Sequence, residues 1–308
     1  MILLWGLERD QPLASVKAAL NLTSASVVFL DQRATLQTSA KLRFESGLSG
    51  RLDIAGERVE LDSITSCLVR PYDWTRLPPI ARAGPNTAEW DHAYAIDRAL
   101  WLWAQYAPGL VVNRPSAMQL TSSKPHQRTL IRVAGFEFPQ TLITTDPAAA
   151  ADFIERHGTA IYKSISSARS VVACVTDRHR DRLDDVRWCP TQFQEYVPGL
   201  DYRVHVVGGE IFCCEIHSDA VDYRYAIRQG ATIEMRPAIL PDECIERCLT
   251  LASDFGLIVA GIDLRRTPEG AWYCFEINPS PAFSFFECDE RNPIAAAVAR
   301  LLTGGGVN

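Results

Sequence analysis

Between Gly261 and Pro279 the chain reads as strand, turn, strand. Gly261-Ile262-Asp263-Leu264-Arg265-Arg266 leads into Thr267-Pro268-Glu269-Gly270. Ala271-Trp272-Tyr273-Cys274-Phe275-Glu276-Ile277-Asn278-Pro279 then returns. Proline at the second turn position and glycine at the fourth suit a type I turn. The flanks, rich in Ile, Leu, Trp, Tyr and Phe, favour strands. Strand side chains alternate faces, so Glu276 and Asn278 share one. The face of Asp263 depends on the loop. A two-residue loop closed by Thr267 and Gly270 puts Asp263 opposite Cys274, on the face of Glu276 and Asn278. A three-residue loop with a bulge at Gly270 turns it away, unless a second bulge compensates.

Carboxylates on a buried face cost several kcal/mol unless they are paired or bind a metal. A hard divalent cation such as Mg²⁺ takes oxygen ligands and commonly shares them with substrate phosphates. Asp263, Glu276 and Asn278 are therefore candidate metal ligands. The competing reading is a hairpin whose polar face is simply wet.

With 308 residues the chain has room for two or three subdomains. A net charge of −6 speaks against a general nucleic-acid binder with a broad basic surface. The residues from Met1 lack a basic leader, and no apolar run is long enough for a membrane helix, so a cytoplasmic protein that binds no membrane is expected. Nine cysteines without a C-x-x-C pair argue against zinc and for reduced, mostly buried thiols.

Residues 1–112 read as an α/β unit. Ile2–Trp5 is a strand, Leu13–Leu20 has helical spacing and Ser26–Asp31 is a second strand, parallel to the first. Ser39–Glu60 alternates, with Ser49-Gly50 and Ala55-Gly56 marking short antiparallel strands. Pro78-Pro79 and Gly84-Pro85 mark a loop, and Glu89–Tyr106 a long helix with its aromatic residues inward. Arg70 ends the apolar strand Ser66–Arg70. Strand ends in open α/β sheets often carry ligand groups, so Arg70 is a candidate substrate contact, or else a surface arginine near a turn.

Asn113-Arg114-Pro115-Ser116 reads as a linker into a second unit, residues 113–190. Lys124 opens a helix that stops near Gly135. Phe136–Thr144 is a strand interrupted by Pro139 and hence an edge. Asp146-Pro147 caps a helix running to about His157. Lys163 ends a strand before the small-residue loop of Ser164 to Ser170. Both lysines are point charges suited to phosphate oxygens, and such a loop can offer backbone N–H groups to a triphosphate. A solvated lysine is the ordinary alternative for Lys163. No Walker motif and no G-x-G-x-x-G is present.

In the third unit, residues 191–308, an apolar strand runs into Pro198-Gly199 and a hairpin turns at Gly208-Gly209. Arg203 and His205 share one hairpin face. Asp222-Tyr223-Arg224 follows in a loop, where Arg224 could meet phosphate or a carboxylate, or be a surface charge. Pro241–Phe255 is an amphipathic helix, and Pro293–Leu302 a closing helix before the glycine tail from Gly304 to Gly306.

The order of these features over residues 113–290 resembles the ATP-grasp superfamily. Within it the chain resembles ribosomal-protein glutamate ligases and, more closely, the peptide-cyclising ligases that make graspetides such as microviridins. Shared wording is Asn-Arg-Pro from Asn113, Lys-Pro-x-Gln from Lys124, Gly-Phe-x-x-Pro-x-Thr-Leu-Ile-Thr from Gly135, Gln-Glu-Tyr-Val-Pro from Gln194 and Arg-Val-x-Val-Val-Gly from Arg203. The resemblance implies an α/β N-terminal domain followed by an α+β ATP-grasp fold, two subdomains clamping ATP between antiparallel sheets. It implies that Lys124 and Lys163 contact phosphates, that the backbone of Glu195, Tyr196 and Val197 meets the adenine edge, and that Asp201 binds the ribose. It implies two Mg²⁺ ions, with Mn²⁺ as an alternative, on Asp263, Glu276 and Asn278. Arg203 and Arg224 would steady the transferred phosphoryl group and an acyl phosphate. One departure is the absence of any glycine between Lys163 and Gly199, where Ser164, Ser166 and Ser167 stand instead.

The implied activity is ATP-dependent carboxylate–amine ligation through an acyl phosphate, on a peptide or amino-acid substrate, with amide or less often ester formation. The acceptor could be a precursor peptide. The alternatives are a small-molecule ligase of glutathione-synthase type and a non-catalytic ATP- or peptide-binding module. A homodimer is the default assembly.

Overall fold

Strand β1 (Ile2–Gly6) is buried at every position, as the interior of a parallel sheet requires. The computed structural model describes residues 1–45, 47–164, 172–220, 223, 230–287 and 293–304. After β1 come α1 (Gln11–Leu20), whose first turn is capped by the Asp10 carboxylate accepting the Leu13 N–H at 3.0 Å, and β2 (Val27–Asp31). The strands β3 (Thr38–Phe44), β4 (Leu48–Ile54) and β5 (Glu57–Glu60) make a small antiparallel sheet. Then β6 (Ser66–Arg70), α2 (Pro78–Ala83), α3 (Ala88–Tyr106) and β7 (Leu110–Val112) complete a parallel sheet of order β2-β1-β6-β7.

Three local expectations change here. Ser49-Gly50 lies inside β4, and the chain reverses between Phe44 and Leu48 instead. Pro78-Pro79 starts α2 where a loop was expected, because the fixed φ of proline fits a first helical turn. On α3, Trp90 and Trp101 pack edge-on against Trp74 and Trp5, and Trp103 is buried, but Tyr94 and Tyr106 face solvent.

The chain continues through α4 (Pro115–Leu120), α5 (Lys124–Val133), β8 (Thr141–Thr144), α6 (Pro147–His157), β9 (Ala160–Ser164), β10 (Ala173–Cys174), α7 (Asp177–Arg180) and β11 (Thr191–Glu195). The second sheet has the order β10-β9-β11-β8, all antiparallel, with β8 at the edge; β8 starts only at Thr141, so Pro139 precedes the strand instead of interrupting it. Strand β11 pairs with both β8 and β9, so this sheet runs through Glu195. Strand pairing over fifty residues leaves no local mark in sequence. In the same way Ala117 of α4 and Ile131 of α5 join the core of the third unit, with Val204, Cys248 and Ile262.

That unit holds β12 (Leu200–Val207), β13 (Glu210–Ser218), β14 (Ile233–Ala238), α8 (Asp242–Asp254), β15 (Val259–Arg266), β16 (Trp272–Asn278) and α9 (Pro293–Leu302). Its antiparallel sheet has the order β14-β13-β12-β15-β16. One face packs on α5 and α8 through Val204, Leu251, Ile262 and Ile277. The opposite face carries Arg203 and Asp263. Helix α9 returns to the N-terminal unit, where Val298 and Leu301 share a core with Leu13 and Val16. The eight described cysteines are all free thiols, five of them buried. Gly305 and Gly306 of the expected tail lie outside the described residues. Among the described residues no helix is long and apolar enough to cross a membrane.

Candidate nucleotide and metal site

The hairpin takes the longer of its two possible loops. The Thr267 N–H donates to the Ala271 carbonyl and the Gly270 N–H to the Thr267 carbonyl, both at 2.9 Å, and Gly270 has φ +93°. This three-residue loop alone would turn Asp263 away. A second irregularity restores it: Leu264 pairs with Cys274 but Asp263 pairs with Glu276, leaving Phe275 as the extra residue of a bulge. Asp263 and Glu276 therefore face each other directly, and Asn278, opposite Gly261, follows two residues on.

Each carboxylate has a cation at hand. Arg203, opposite Asp263 on β12, donates from Nη1 to its Oδ1 at 2.6 Å, and the Tyr223 hydroxyl reaches the same oxygen at 3.3 Å. Lys124 Nζ, at the start of α5, lies 3.2 Å from Glu276 Oε1. Arg203 is 5% exposed. Burial works against its charge, but the Asp263 carboxylate and Tyr223 outweigh it and hold the guanidinium above its ordinary pKa. Its Nε donates to His205 Nε2 at 3.4 Å. Burial, and then the charge of Arg203, push the His205 pKa well below the usual histidine range, so this ring is neutral.

Between the second and third sheets runs an open cleft of about 740 Å³, its mouth included. Lys163, Glu195, Tyr196, Val197, Asp201, Asp263 and Glu276, seven of the residues singled out in the sequence, line it. Lys124 and Arg203 meet its wall through Glu276 and Asp263. Lys163 Nζ donates to Gln194 Oε1 at 3.3 Å. The Glu195 carboxylate accepts the Gln140 N–H at 2.9 Å and lies 3.6 Å from His157 Nδ1, so its side chain is tied back into the second sheet.

Arg265 and Tyr223, which also line the cleft, have no role in the sequence reading. Arg265 donates from Nε and Nη2 to the two oxygens of Asp201 at 2.7 and 2.8 Å, and from Nη1 to the Val197 carbonyl at 2.8 Å. It thereby joins the expected ribose contact to the expected adenine edge. Its place two residues from Asp263, on the same strand face, was the available signal. Tyr223 reaches Asp263 Oδ1 from the cleft wall, a contact with no local sequence signal. Arg224 lies outside the described residues, as does the loop containing Ser166 and Ser167. Arg70 is elsewhere, on the N-terminal sheet. It pairs with Asp10 at 2.8 Å and donates from Nη1 to Ser280 Oγ at 3.0 Å and the Pro281 carbonyl at 2.9 Å.

The donor set fits a hard divalent cation: two opposed carboxylates and an amide oxygen, with no thiol or imidazole among the three. Among the described residues no group of three or more His, Cys, Asp or Glu side chains is placed to hold a metal ion.

Residues 121–302 match the RimK-like ATP-grasp domain. No curated protein matches the chain. Among solved structures, the chain is similar to the macrocyclase MdnC of Microcystis aeruginosa MRC, bound with its precursor peptide MdnA. The TM-score is 0.82 at 22% identity, over 98% of this chain and 99% of that one. It is also similar to a RiPP-associated ATP-grasp ligase of Chryseobacterium gregarium, in complex with ADP and a leader and core peptide. There the TM-score is 0.85 at 21% identity, over 100% of this chain and 97% of that one. The ATP-grasp ligase PsnB, complexed with a minimal precursor, gives 0.80 at 24% identity over 99% and 98%. With two opposed antiparallel sheets, a carboxylate pair on the terminal hairpin and more than half of its length matched by the domain, the chain belongs to the RimK-like ATP-grasp family.

Proposed function

We propose that the chain is an ATP-dependent carboxylate–amine ligase that modifies a peptide through an acyl phosphate. The observation that carries this reading is the convergence of Lys163, the backbone at Glu195–Val197, Asp201, Asp263 and Glu276 on one cleft. Kinship with proteins of known peptide complexes, aligned over nearly their whole length, supports a peptide as the acceptor.

In this reading the adenine lies along Glu195–Val197 and the ribose hydroxyls bond to Asp201, whose two oxygens Arg265 holds in place. Lys124 and Lys163 take phosphate oxygens. Asp263, Glu276 and Asn278 hold two Mg²⁺ ions, for which Mn²⁺ can substitute. When bound, these ions neutralise phosphate charge. A substrate carboxylate oxygen attacks the γ-phosphorus and the bond to the ADP oxygen breaks. An amine then attacks the acyl carbon, phosphate leaves with the C–O bonding pair, and the amine loses a proton. The protein positions groups and balances charge, so no nucleophilic serine or cysteine is needed. Arg203 stands beside the carboxylate pair to steady the phosphoryl group. The like role for Arg224 rests on sequence alone.

The test is calorimetry of ADP binding with and without Mg²⁺, followed by mass spectrometry of peptides carrying both Glu or Asp and Lys. Magnesium-dependent binding, abolished in Glu276→Ala, and loss of one water per ADP released are the expected results. ADP release with small amino acids but no peptide would favour the small-molecule alternative. No nucleotide binding under either condition would sink the ligase reading.

A further inference from the structure

Strand β16 is the outer strand of its sheet. Its outward N–H and C=O groups therefore need partners from elsewhere, or water. Near its start the backbone of Glu137 supplies them, donating to the Trp272 carbonyl at 3.0 Å and accepting the Cys274 N–H at 2.9 Å. Around the metal ligands two buried side-chain amides take over. The Ile277 N–H donates to Gln127 Oε1 at 3.2 Å, while Gln127 Nε2 donates to the Thr121 carbonyl at 2.5 Å. Asn113 Nδ2 donates to the carbonyls of Pro279 and Val259, both at 2.6 Å, and its Oδ1 accepts from Ile258 and Val259 N–H at 2.8 and 3.1 Å. Gln127 is 3% exposed and Asn113 2%.

We infer that Gln127 and Asn113 are positioning residues that set the placement of Glu276 and Asn278, and with it the metal affinity of the site. The inference rests on the ligase reading above. Ile277 lies between the two ligands and Pro279 directly follows the second, so the two amides grip the strand at alternate residues, while Glu276 lines the cleft and Asn278 follows two residues on. Each amide uses both ends, oxygen to N–H and nitrogen to carbonyl, which dictates its orientation and excludes an acid of the same shape. Asn113→Asp would set a carboxylate against two carbonyl oxygens, and Gln127→Glu would do so against one. Beyond Pro279, Arg70 holds Ser280 and Pro281. The stretch from 277 to 281 is thus held from outside the hairpin at four of its five residues, three through the backbone and Ser280 through its hydroxyl. The Asn-Arg-Pro segment, read from sequence as a linker, is a clamp.

The experiment is ADP binding by calorimetry across a Mg²⁺ titration, on wild type, Gln127→Glu and Asn113→Asp, with melting temperatures taken alongside. The expected result is metal-free ADP affinity within about twofold of wild type and a Mg²⁺ requirement raised about tenfold or more, the scale on which outer-shell partners of metal ligands act. An unchanged Mg²⁺ requirement, or an affinity lowered equally with and without Mg²⁺, overturns the inference. Arg70→Ala, at the partly exposed rim, carries the same test if the acid variants do not fold. A smaller shift in the same direction supports the inference and no shift overturns it. A wild type without Mg²⁺-dependent ADP binding overturns the ligase reading and this inference with it.

Discussion

Gly261 leaves room for the guanidinium of Arg203. A Cβ at Gly261 would stand 2.7 Å from Arg203 Cζ and 2.7 Å from Pro281 Cβ. Neither neighbour can yield easily, because Arg203 is bound to Asp263 and Pro281 accepts from Arg70. Glycine inside a strand ordinarily weakens it, so alanine here should stabilise were packing neutral. The expected outcome of Gly261→Ala is the reverse: a melting temperature several degrees lower and turnover down about tenfold or more as Arg203 leaves Asp263. A stabilised variant with wild-type turnover would show that the space is not needed.

The Arg203–Asp263 pair is short and shielded, and breaking it leaves a half-buried carboxylate beside Glu276. Arg203→Ala should cost about 3 kcal/mol of stability, the lower end for a broken buried pair. Arg203→Lys keeps a cation for Asp263 but cannot also donate to His205 Nε2 as the guanidinium fork does. Its stability should lie near wild type while turnover falls on the order of 10²-fold. Urea melts and steady-state rates measured together separate the two effects. Equal turnover for lysine and arginine would reduce Arg203 to a plain counter-charge.

The parts of the fold legible in sequence were those with local causes. Asp146-Pro147 capped a helix, and residues two apart on β12 and β16 shared a face. What sequence left open was pairing. Whether Asp263 met Glu276 depended on the extra residue Phe275, and nothing local distinguishes a bulged aromatic from a paired one. An apolar strand running into Pro198-Gly199 is legible in sequence, but its pairing with β8 and β9 is not. The partners of Arg70, Asp10 and Ser280, lie too far off along the chain to be foreseen from the strand end it occupies. Gln127 shows no sign of its role in sequence, because a buried amide and a surface amide look alike there.

The bidentate contact of Arg265 with Asp201 makes a nucleotide prediction. Asp201→Ala should bring the Kd values for ADP and 2′-deoxy-ADP within about twofold of each other, because the expected hydroxyl acceptor is gone. Arg265→Ala should weaken ADP binding about tenfold, since Asp201 and the Val197 carbonyl both lose their tether. Wild-type discrimination retained by Asp201→Ala would place the ribose elsewhere in the cleft.

His205 yields a prediction about acid stability. The ring is 1% exposed, lies against Phe286 with centroids 5.4 Å apart, and accepts from Arg203. Burial and that positive neighbour keep it neutral in the folded state well below pH 6.5. The unfolded chain takes up a proton near pH 6.5 and the folded chain does not, so stability from this group is complete above 6.5 and declines as pH falls. One proton limits the slope to about 1.4 kcal/mol per pH unit. Asp97 acts in the opposite sense: burial raises its pKa to about 6, so its ionisation costs stability as pH rises from about 4 to 6. The readout must therefore be a difference between proteins. His205→Gln keeps a neutral acceptor for Arg203 and leaves Asp97 untouched. Urea melts at pH 7.5 and 5.5 should show the wild type losing more stability than the variant, by up to ~1.4 kcal/mol over the one unit below 6.5. Equal losses would mean that the ring gains its proton without unfolding, with Arg203 moving aside to admit it.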